Sequence, residues 1–153
     1  MRYLIVCGGK IDKEFGLNEI KTDGIDAIIA ADSGMDFLYE NGVTPDIIVG
    51  DFDSTTTNAL EYFERKGQTE IHRLNPIKDD TDTEYAIRLA IREGARSIVV
   101  LGATGSRIDH VLGNISLLGI GLESGTDISI IDTNNRITVS YTHLRAHETT
   151  LHL

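Results

Sequence analysis

The sequence predicts an α/β protein with a mostly parallel β-sheet and helices on both of its faces. Short apolar runs alternate with longer amphipathic stretches along most of the 153 residues. Glycines follow several of the amphipathic stretches, and polar segments follow several of the apolar runs. Because alternating strand and helix patterns at this spacing are typical of a parallel sheet between two helical layers, we expect a three-layer fold.

The apolar runs predict the strands, and the amphipathic stretches predict the helices. The predicted strands cover residues 3–7, 27–31, 46–49, 70–74, 97–101 and 127–131, and the predicted helices cover 33–41, 56–66, 83–93 and 108–122. Gly42, Gly67 and Gly94 directly follow three of these helices, as glycine commonly does at a helix C-terminus. Rossmann-like sheets bind ligands at the carboxyl ends of their strands, so the polar segments after the strands should lie along one edge.

Composition excludes several classes of protein. The formal net charge of −10 argues against nucleic-acid binding, which needs a basic surface. No stretch approaches the roughly 20 apolar residues of a membrane span, and the N-terminus is too short for a signal peptide, so we expect a cytoplasmic protein. Cys7 is the single cysteine, which excludes a disulfide framework, and its apolar surroundings predict a core residue and not a nucleophile.

Two aspartates follow the third predicted strand, in Gly50-Asp51-Phe52-Asp53-Ser54. Carboxylates at positions i and i+2 of an extended turn can face the same side, and such oxygens suit Mg²⁺, which completes its shell with water and phosphate oxygens. The structural alternative is an Asx turn or a helix cap, for which Ser54 or Thr55 is suited. Taken alone, the segment does not decide between a metal site and a turn.

A second acidic cluster, Lys78-Asp79-Asp80-Thr81-Asp82, follows the fourth predicted strand. Thr81 or Asp82 can cap the helix that is predicted to begin at Thr83, which explains part of the cluster. Three neighbouring carboxylates nevertheless repel one another unless a cation offsets their charge. Two acidic segments at adjacent strand ends therefore favour a divalent metal site.

A glycine-containing segment, residues 102–110, follows the fifth predicted strand. Its glycines allow backbone N–H groups to approach phosphate, and Arg107 can bind phosphate with its fork of donors. The alternative is a tight strand-to-helix turn, and His110 is equally consistent with a surface residue. The sequence lacks the Walker lysine pattern, so the segment is not a P-loop. Asp32-Ser33-Gly34 is the weakest signal, since it fits either an N-cap or a ribose or phosphate contact.

In this order and spacing, the segments resemble the thiamine pyrophosphokinases. The resemblance covers residues 1–137 and rests on Ala31-Asp32-Ser33-Gly34, Pro45-Asp46, Gly50-Asp51-Phe52-Asp53-Ser54, Asp79, Thr81-Asp82, Gly102, Gly105-Ser106-Arg107-Ile108-Asp109-His110 and Asn114. Each motif alone is weak, whereas the ordered set is specific.

The resemblance implies Mg²⁺-dependent transfer of pyrophosphate from ATP to the hydroxyethyl group of thiamine, which gives AMP and thiamine diphosphate. It implies that Asp51, Asp53, Asp79 and Asp82 surround Mg²⁺ and the phosphates, with Asp79 or Asp82 accepting the hydroxyl proton. The nucleotide would be bound by Asp32, Ser33, Gly34, Thr81, Gly102, Ser106, Arg107, Asp109, His110 and Asn114. Family members are also expected to be homodimers, with an active site that spans two subunits and no nucleic-acid or membrane partner.

The end of the sequence departs from this pattern. Residues 139–153 contain no Gly, Asp, Lys or Ile and hold three of the five histidines, of which His143 and His147 have a spacing that can bind a metal on a helix. No carboxylate or cysteine pattern supports such a site, and the stretch resembles translated sequencing-adapter read-through. We therefore assign residues 1–137 to the ATP- and Mg²⁺-binding domain and expect 138–153 to be a non-native tail that replaces an all-β thiamine-binding domain. On that basis we expect weak binding of Mg·ATP and little turnover.

Two alternative functions remain open at this point. Asp51-Phe52-Asp53-Ser54-Thr55 also fits the Asp-x-Asp-x-Thr signature of haloacid dehalogenase-type phosphohydrolases, in which the first aspartate attacks phosphate. Those enzymes need a separate lysine and a later acidic pair, whereas Lys78 adjoins the acids here. The other alternative is a nucleotide-binding module without catalytic activity.

Overall fold

The computed structural model describes residues 1–53, 58–77 and 80–139, which form a seven-stranded sheet packed between helices. The strands are β1 (Arg2–Val6), β2 (Ala27–Ala31), β3 (Ile47–Gly50), β4 (Glu70–Arg73), β5 (Ser97–Leu101), β6 (Asp127–Ile131) and β7 (Arg136–Ile137). The helices are α1 (Lys13–Ile20), α2 (Gly34–Glu40), α3 (Ala59–Lys66), α4 (Asp82–Arg92), α5 (Ile108–Ser116) and α6 (Leu118–Ser124).

The strand order is β4-β3-β2-β1-β5-β6-β7. Strands β1 to β6 pair in parallel, and β7 returns antiparallel to β6. The chain proceeds outward from β1 to β4 and then crosses back, so that β5 lies on the other side of β1. The strand order therefore reverses between β1 and β5, which is the place where open α/β sheets form a ligand crevice. This topology confirms the predicted α/β class.

The core has two layers because successive residues of a buried strand face opposite sides of the sheet. In β1, Leu4 and Val6 pack on one side with buried residues of α2 and α3, including Met35 and Phe63. Ile5 packs on the other side, against α4 and Leu118 of α6. These two layers hold the strand ends in place, and the candidate site is built from the loops that leave those ends.

The predicted strands and helices are all present, with small differences at their ends, but three features were not predicted. Helix α1 has few apolar residues, and Asp12 caps it by accepting a hydrogen bond from Phe15 N at 3.0 Å. The short strand β7 has only two residues. The single helix predicted over 108–122 is two helices: Leu117 N bonds to Asn114 O instead of Gly113 O, and Gly113 O accepts from the Ser116 hydroxyl at 2.6 Å. Side-chain bonds of this kind compete with the helical hydrogen-bond pattern.

Some sequence-based predictions fall outside the described residues. These are the predicted caps Ser54 and Thr55, the residues Lys78 and Asp79, and the histidines of the tail. Helix α3 begins at Ala59, after Asn58, and the predicted start at residue 56 lies outside the described residues. Within the described part of the chain, no helix has the length and apolar character needed to cross a bilayer.

Candidate functional site

A cleft opens at the point where the strand order reverses, beside the carboxyl ends of β1 and β5. Its volume is about 1740 Å³, above the roughly 300–1,000 Å³ of common small-molecule pockets. The cleft is lined by Phe15 and by residues from five segments: 7–12, 31–33, 81–84, 102–117 and 131–137, with gaps inside some of these ranges. Residues of the predicted polar segments around Asp32, Asp82 and 102–107 line the cleft, whereas Asp51 and Asp53 do not.

The floor of the cleft is backbone, and it depends on glycine. Gly9 N donates to Gly102 O at 2.8 Å, which joins the segment after β1 to the segment after β5. A Cβ atom on Gly9 would lie only 2.4 Å from Gly102 O. Gly102 itself has a φ of +73°, in the left-handed region that favours glycine. Neither position accepts a side chain without movement of the backbone.

The loop 102–107, which the sequence predicts to bind phosphate, has an exposed tip. Ser106 and Arg107 are exposed and line the cleft, as do Asp109 and His110. The Arg107 guanidinium donates to both carboxylate oxygens of Asp109, with Nε–Oδ1 3.2 Å and Nη2–Oδ2 2.6 Å. The bonds from Arg107 hold the pKa of Asp109 below its usual value. Phosphate would have to compete with Asp109 for the Arg107 donors.

An acidic group forms the opposite side of the site. Asp32 has a φ of +50°, and its Oδ1 atom is buried without a hydrogen-bond partner. Burial raises the pKa of Asp32, and the charges of Asp82 and Asp51 raise it further. The carboxylates at the ends of β2 and β3 and at the start of α4 thus repel one another electrostatically. A cation bound among them would remove this repulsion.

Asp51 and Asp53 adopt the turn that was the structural alternative to a metal site. Asp53 N donates to Asp51 Oδ1 at 3.1 Å, while Phe52 between them has a φ of +64°. The remaining oxygen of Asp51 is not used by this bond, so the turn and a cation are compatible. Among the described residues, no group of three or more His, Cys, Asp or Glu side chains is arranged to hold a metal. Since Asp79 lies outside those residues, the predicted ligand set of four aspartates stays a prediction.

Most of the predicted nucleotide-binding residues come together in the cleft. Those that line it are Asp32, Ser33, Thr81, Gly102, Ser106, Arg107, Asp109, His110 and Asn114; Asp82, predicted as a metal ligand, lines it as well. Thr81 also caps α4, accepting from Glu84 N at 3.1 Å, as one of the sequence alternatives predicted. Asp51, Asp53 and Gly34 are not among the lining residues.

Gly34, which was predicted to bind the nucleotide, has a packing role in the structure. A Cβ atom on Gly34 would lie 1.9 Å from Val6 O, so the N-terminus of α2 can approach β1 only with glycine at this position. This close approach brings the segment after β2 beside the segment after β1.

Sequence reasoning missed several residues of the cleft. Gly8, Gly9 and Lys10 line it beside β1, and the Gly-Gly pair after an apolar run was the signal that could have identified them. Asp132 lines it after β6, in a segment rich in Asp and Asn that is typical of a tight turn. Both segments follow strands, so the rule used for the other loops applied to them as well.

Cys7 is buried at the end of β1, as the sequence predicted. Its Sγ atom lies 3.4 Å from Thr83 Oγ1, and burial raises the pKa of the thiol to about 11. A thiol with such a pKa is a poor nucleophile at neutral pH.

Comparisons with known proteins agree with this geometry. A sequence profile described as the catalytic domain of thiamin pyrophosphokinase matches residues 21–130. Thiamine pyrophosphokinase of Bacillus subtilis is 37% identical over 109 residues, which cover 71% of this chain and 50% of that protein. Thiamine pyrophosphokinase 1 of Oryza sativa subsp. japonica is 38% identical over 80 residues, covering 48% of this chain and 30% of that protein.

Solved structures of thiamine pyrophosphokinases are also similar to this chain. The crystal structure of thiamine pyrophosphokinase from Bacillus subtilis superposes with a TM-score of 0.77 at 31% identity, over 90% of this chain and 63% of that one. The enzyme from Geobacillus thermodenitrificans gives 0.73 at 30% identity, over 90% of this chain and 62% of that one. The chain spans about half the length of the curated Bacillus subtilis relative. It belongs to the thiamine pyrophosphokinase family, and residues 21–130 correspond to the catalytic domain of that family.

Proposed function

We propose that this chain binds Mg·ATP in the cleft between β1 and β5 and takes part in the transfer of pyrophosphate from ATP to thiamine. The observation that carries the proposal is the pairing of two opposite features across one cleft. An exposed loop tip with Arg107 lies on one side, and the acidic group around Asp32 lies on the other. Membership of the thiamine pyrophosphokinase family supports this assignment over a haloacid dehalogenase-type phosphohydrolase.

The phosphate groups would lie against the tip of the loop 102–107. Gly105 and Ser106 are exposed there, and a helix N-terminus follows, so backbone N–H groups can face an anion. Among the described residues that line the cleft, Lys10 and Arg107 carry the permanent positive charges. Arg107 is paired with Asp109, which leaves Lys10 as a cation that can reach phosphate without first breaking an ion pair.

A divalent cation would offset the charge of the acidic group. The Oδ1 atom of Asp32 has no hydrogen-bond donor, and burial, with the charges of Asp82 and Asp51, raises the pKa of its carboxyl. Asp51, Asp53, Asp79 and Asp82 would hold Mg²⁺, with water completing its shell. When bound, Mg²⁺ neutralises charge on the phosphate oxygens and orients them.

The chain's own residues would orient the substrates and move one proton. The hydroxyl oxygen of thiamine forms a bond to the β-phosphorus, and the bond between that phosphorus and the oxygen bridging to the α-phosphate breaks, which releases AMP. Asp79 or Asp82 accepts the proton that leaves the hydroxyl group. The homodimer, the active site shared between subunits and the cytoplasmic location are further parts of this proposal.

Substitution of one acidic residue tests the metal part of the proposal. Asp53→Asn should abolish the Mg²⁺-dependent binding of α,β-methylene ATP, because it removes a charge from the metal site while keeping the shape of the side chain. Asp127→Asn is the matched control, since Asp127 is exposed at the amino end of β6, away from the cleft. Calorimetric titration measures both, and an affinity for the analogue that Asp53→Asn leaves unchanged contradicts the metal assignment.

Products distinguish the proposed reaction from its alternatives. With ATP, Mg²⁺ and thiamine, a pyrophosphate transfer gives AMP and thiamine diphosphate in equal amounts. Free phosphate from a monoester supports the phosphohydrolase, and analogue binding without any product supports a binding module.

A further inference from the structure

Three consecutive residues at the base of the loop 102–107 are tied to three different parts of the fold. Gly102 O accepts from Gly9 N after β1 (2.8 Å), and Ala103 O accepts from the Asn114 side chain on α5 (2.8 Å). The Thr104 hydroxyl donates to Asp132 Oδ2, after β6, at 2.7 Å. The next residues, 105–107, are exposed. The loop therefore has a fixed base and an exposed tip.

Asp132 is itself held firmly by the turn between β6 and β7. Its Oδ1 atom accepts from the backbone N atoms of Asn134 (2.8 Å) and Asn135 (2.7 Å), and its own N donates to Asn135 O at 3.0 Å. The Asn135 side chain donates to both carboxylate oxygens, at 3.0 and 3.2 Å. The turn thus relies mainly on Oδ1, while the shortest bond to Oδ2 comes from Thr104, 28 residues away.

The electrostatic balance keeps Asp132 ionised at neutral pH. Partial burial acts to raise the pKa of its carboxyl, but hydrogen bonds from Thr104, Asn134 and Asn135 outweigh burial, and the pKa lies below its ordinary value. The Thr104 hydroxyl therefore donates to a charged acceptor. Such bonds stabilise about twice as much as neutral ones, and one of them favours the bonded state by a factor of about ten or more.

We propose that Asp132 is a positioning residue that acts through the Thr104 hydroxyl to hold the loop 102–107 in the form that binds nucleotide phosphates. The phosphate part of this role rests on the proposed function, whereas the anchoring of the loop does not. Both carboxylate oxygens of Asp132 already accept hydrogen bonds within the protein, so its role would be to hold the loop. Its contribution would be to the affinity for nucleotide and to the order of the loop before binding.

Removal of the Thr104 hydroxyl is the direct test. In Thr104→Val, we expect the amides of residues 103–107 to exchange with solvent about tenfold faster in the nucleotide-free chain, and the affinity for Mg·α,β-methylene ATP to fall about tenfold. Thr104→Ser keeps the hydroxyl and should behave as the wild type. Thr22→Val is a second control, because it removes a comparable bond, Thr22 Oγ1 to Asn18 O at 2.9 Å, at the end of α1.

Asp132→Asn supplies an independent variant that can keep the turn while weakening the bond to Thr104. If the two residues act together, the double variant should lose no more affinity than the more affected single variant. Full additivity of the two losses contradicts a shared role.

The outcomes separate this inference from the proposed function. If Thr104→Val speeds exchange but the wild-type chain binds no nucleotide, the proposed function fails and so does the nucleotide role of Asp132. If the wild type binds and Thr104→Val binds equally well, the positioning role alone is wrong. Unchanged exchange in Thr104→Val also overturns the role, whatever the affinity.

Discussion

Replacement of Gly9 by alanine should damage both the fold and the cleft, because the new methyl group has no room. Its Cβ atom would lie 2.4 Å from Gly102 O and 3.0 Å from Thr104 O. The distance to Gly102 O is about 1 Å shorter than an ordinary van der Waals contact. Both are backbone atoms of the segment after β5, so they cannot swing aside as a flexible side chain would. The segments after β1 and β5 must therefore separate.

The size of the effect follows from two losses. Overpacking costs about 1–3 kcal/mol, and weakening the 2.8 Å bond from Gly9 N to Gly102 O costs about 1 kcal/mol more. For a domain of this size, a loss of about 2–4 kcal/mol in the free energy of unfolding lowers Tm by about 5–15 °C. Because the displaced segment carries the loop 102–107, the affinity for Mg·α,β-methylene ATP should also fall at least about tenfold.

Thermal unfolding and calorimetric titration measure the two effects. Gly119→Ala is the matched control, since a Cβ atom there has open space and lies within α6, where alanine should stabilise the helix by about 0.5–1 kcal/mol. A Gly9→Ala variant with the Tm and nucleotide affinity of the wild type would refute the reasoning about the cleft floor.

Two further predictions concern titratable groups. Burial and the charges of Asp82 and Asp51 raise the pKa of Asp32 in the folded chain, so the folded state disfavours the ionised form. Its contribution is destabilising above the folded pKa and disappears as the pH falls below the unfolded value of about 4. Without divalent cations, Asp32→Asn, which tolerates the positive φ, should therefore raise Tm at pH 7.5 and have little effect at pH 4. An equal shift in Tm at both pH values would contradict this. Because burial raises the pKa of Cys7 to about 11, the thiol should react with a maleimide in denaturant but not in the folded chain at pH 7. Mass spectrometry measures the adduct. Rapid labelling of the folded chain would contradict this prediction.

The layers of the fold were predictable because they depend on patterns that are local in the sequence. The run Ser97–Leu101 is apolar after its first residue, as buried parallel strands are, and its bounds agree with the prediction. Helix α1 was not predicted because its stability comes from the Asp12 cap and from packing, and not from a strong amphipathic pattern. The division of 108–122 was missed because it is visible only in local hydrogen bonds, those from Leu117 N to Asn114 O and from the Ser116 hydroxyl to Gly113 O.

Only those site residues could be predicted whose side-chain type and position after a strand already indicate a function. Aspartates after strands indicated the acidic side, and Arg107 with glycines indicated the phosphate side. The role of Asp132 was missed because its partner is distant in sequence: the bond from Thr104 to Asp132 joins loops that only the order β1-β5-β6 brings together. Long-range contacts of this kind follow from topology and not from local pattern.

The central claim is that the cleft at the reversal of strand order is the nucleotide site. Hydrogen exchange of the wild-type chain, with and without Mg·α,β-methylene ATP, tests it most directly. We predict slower exchange for the amides of residues 8–10, 32–34 and 102–107 when both Mg²⁺ and the analogue are present, and no such slowing when Mg²⁺ is removed by a chelator. Protection confined to other parts of the chain, or the same protection without Mg²⁺, would contradict the account.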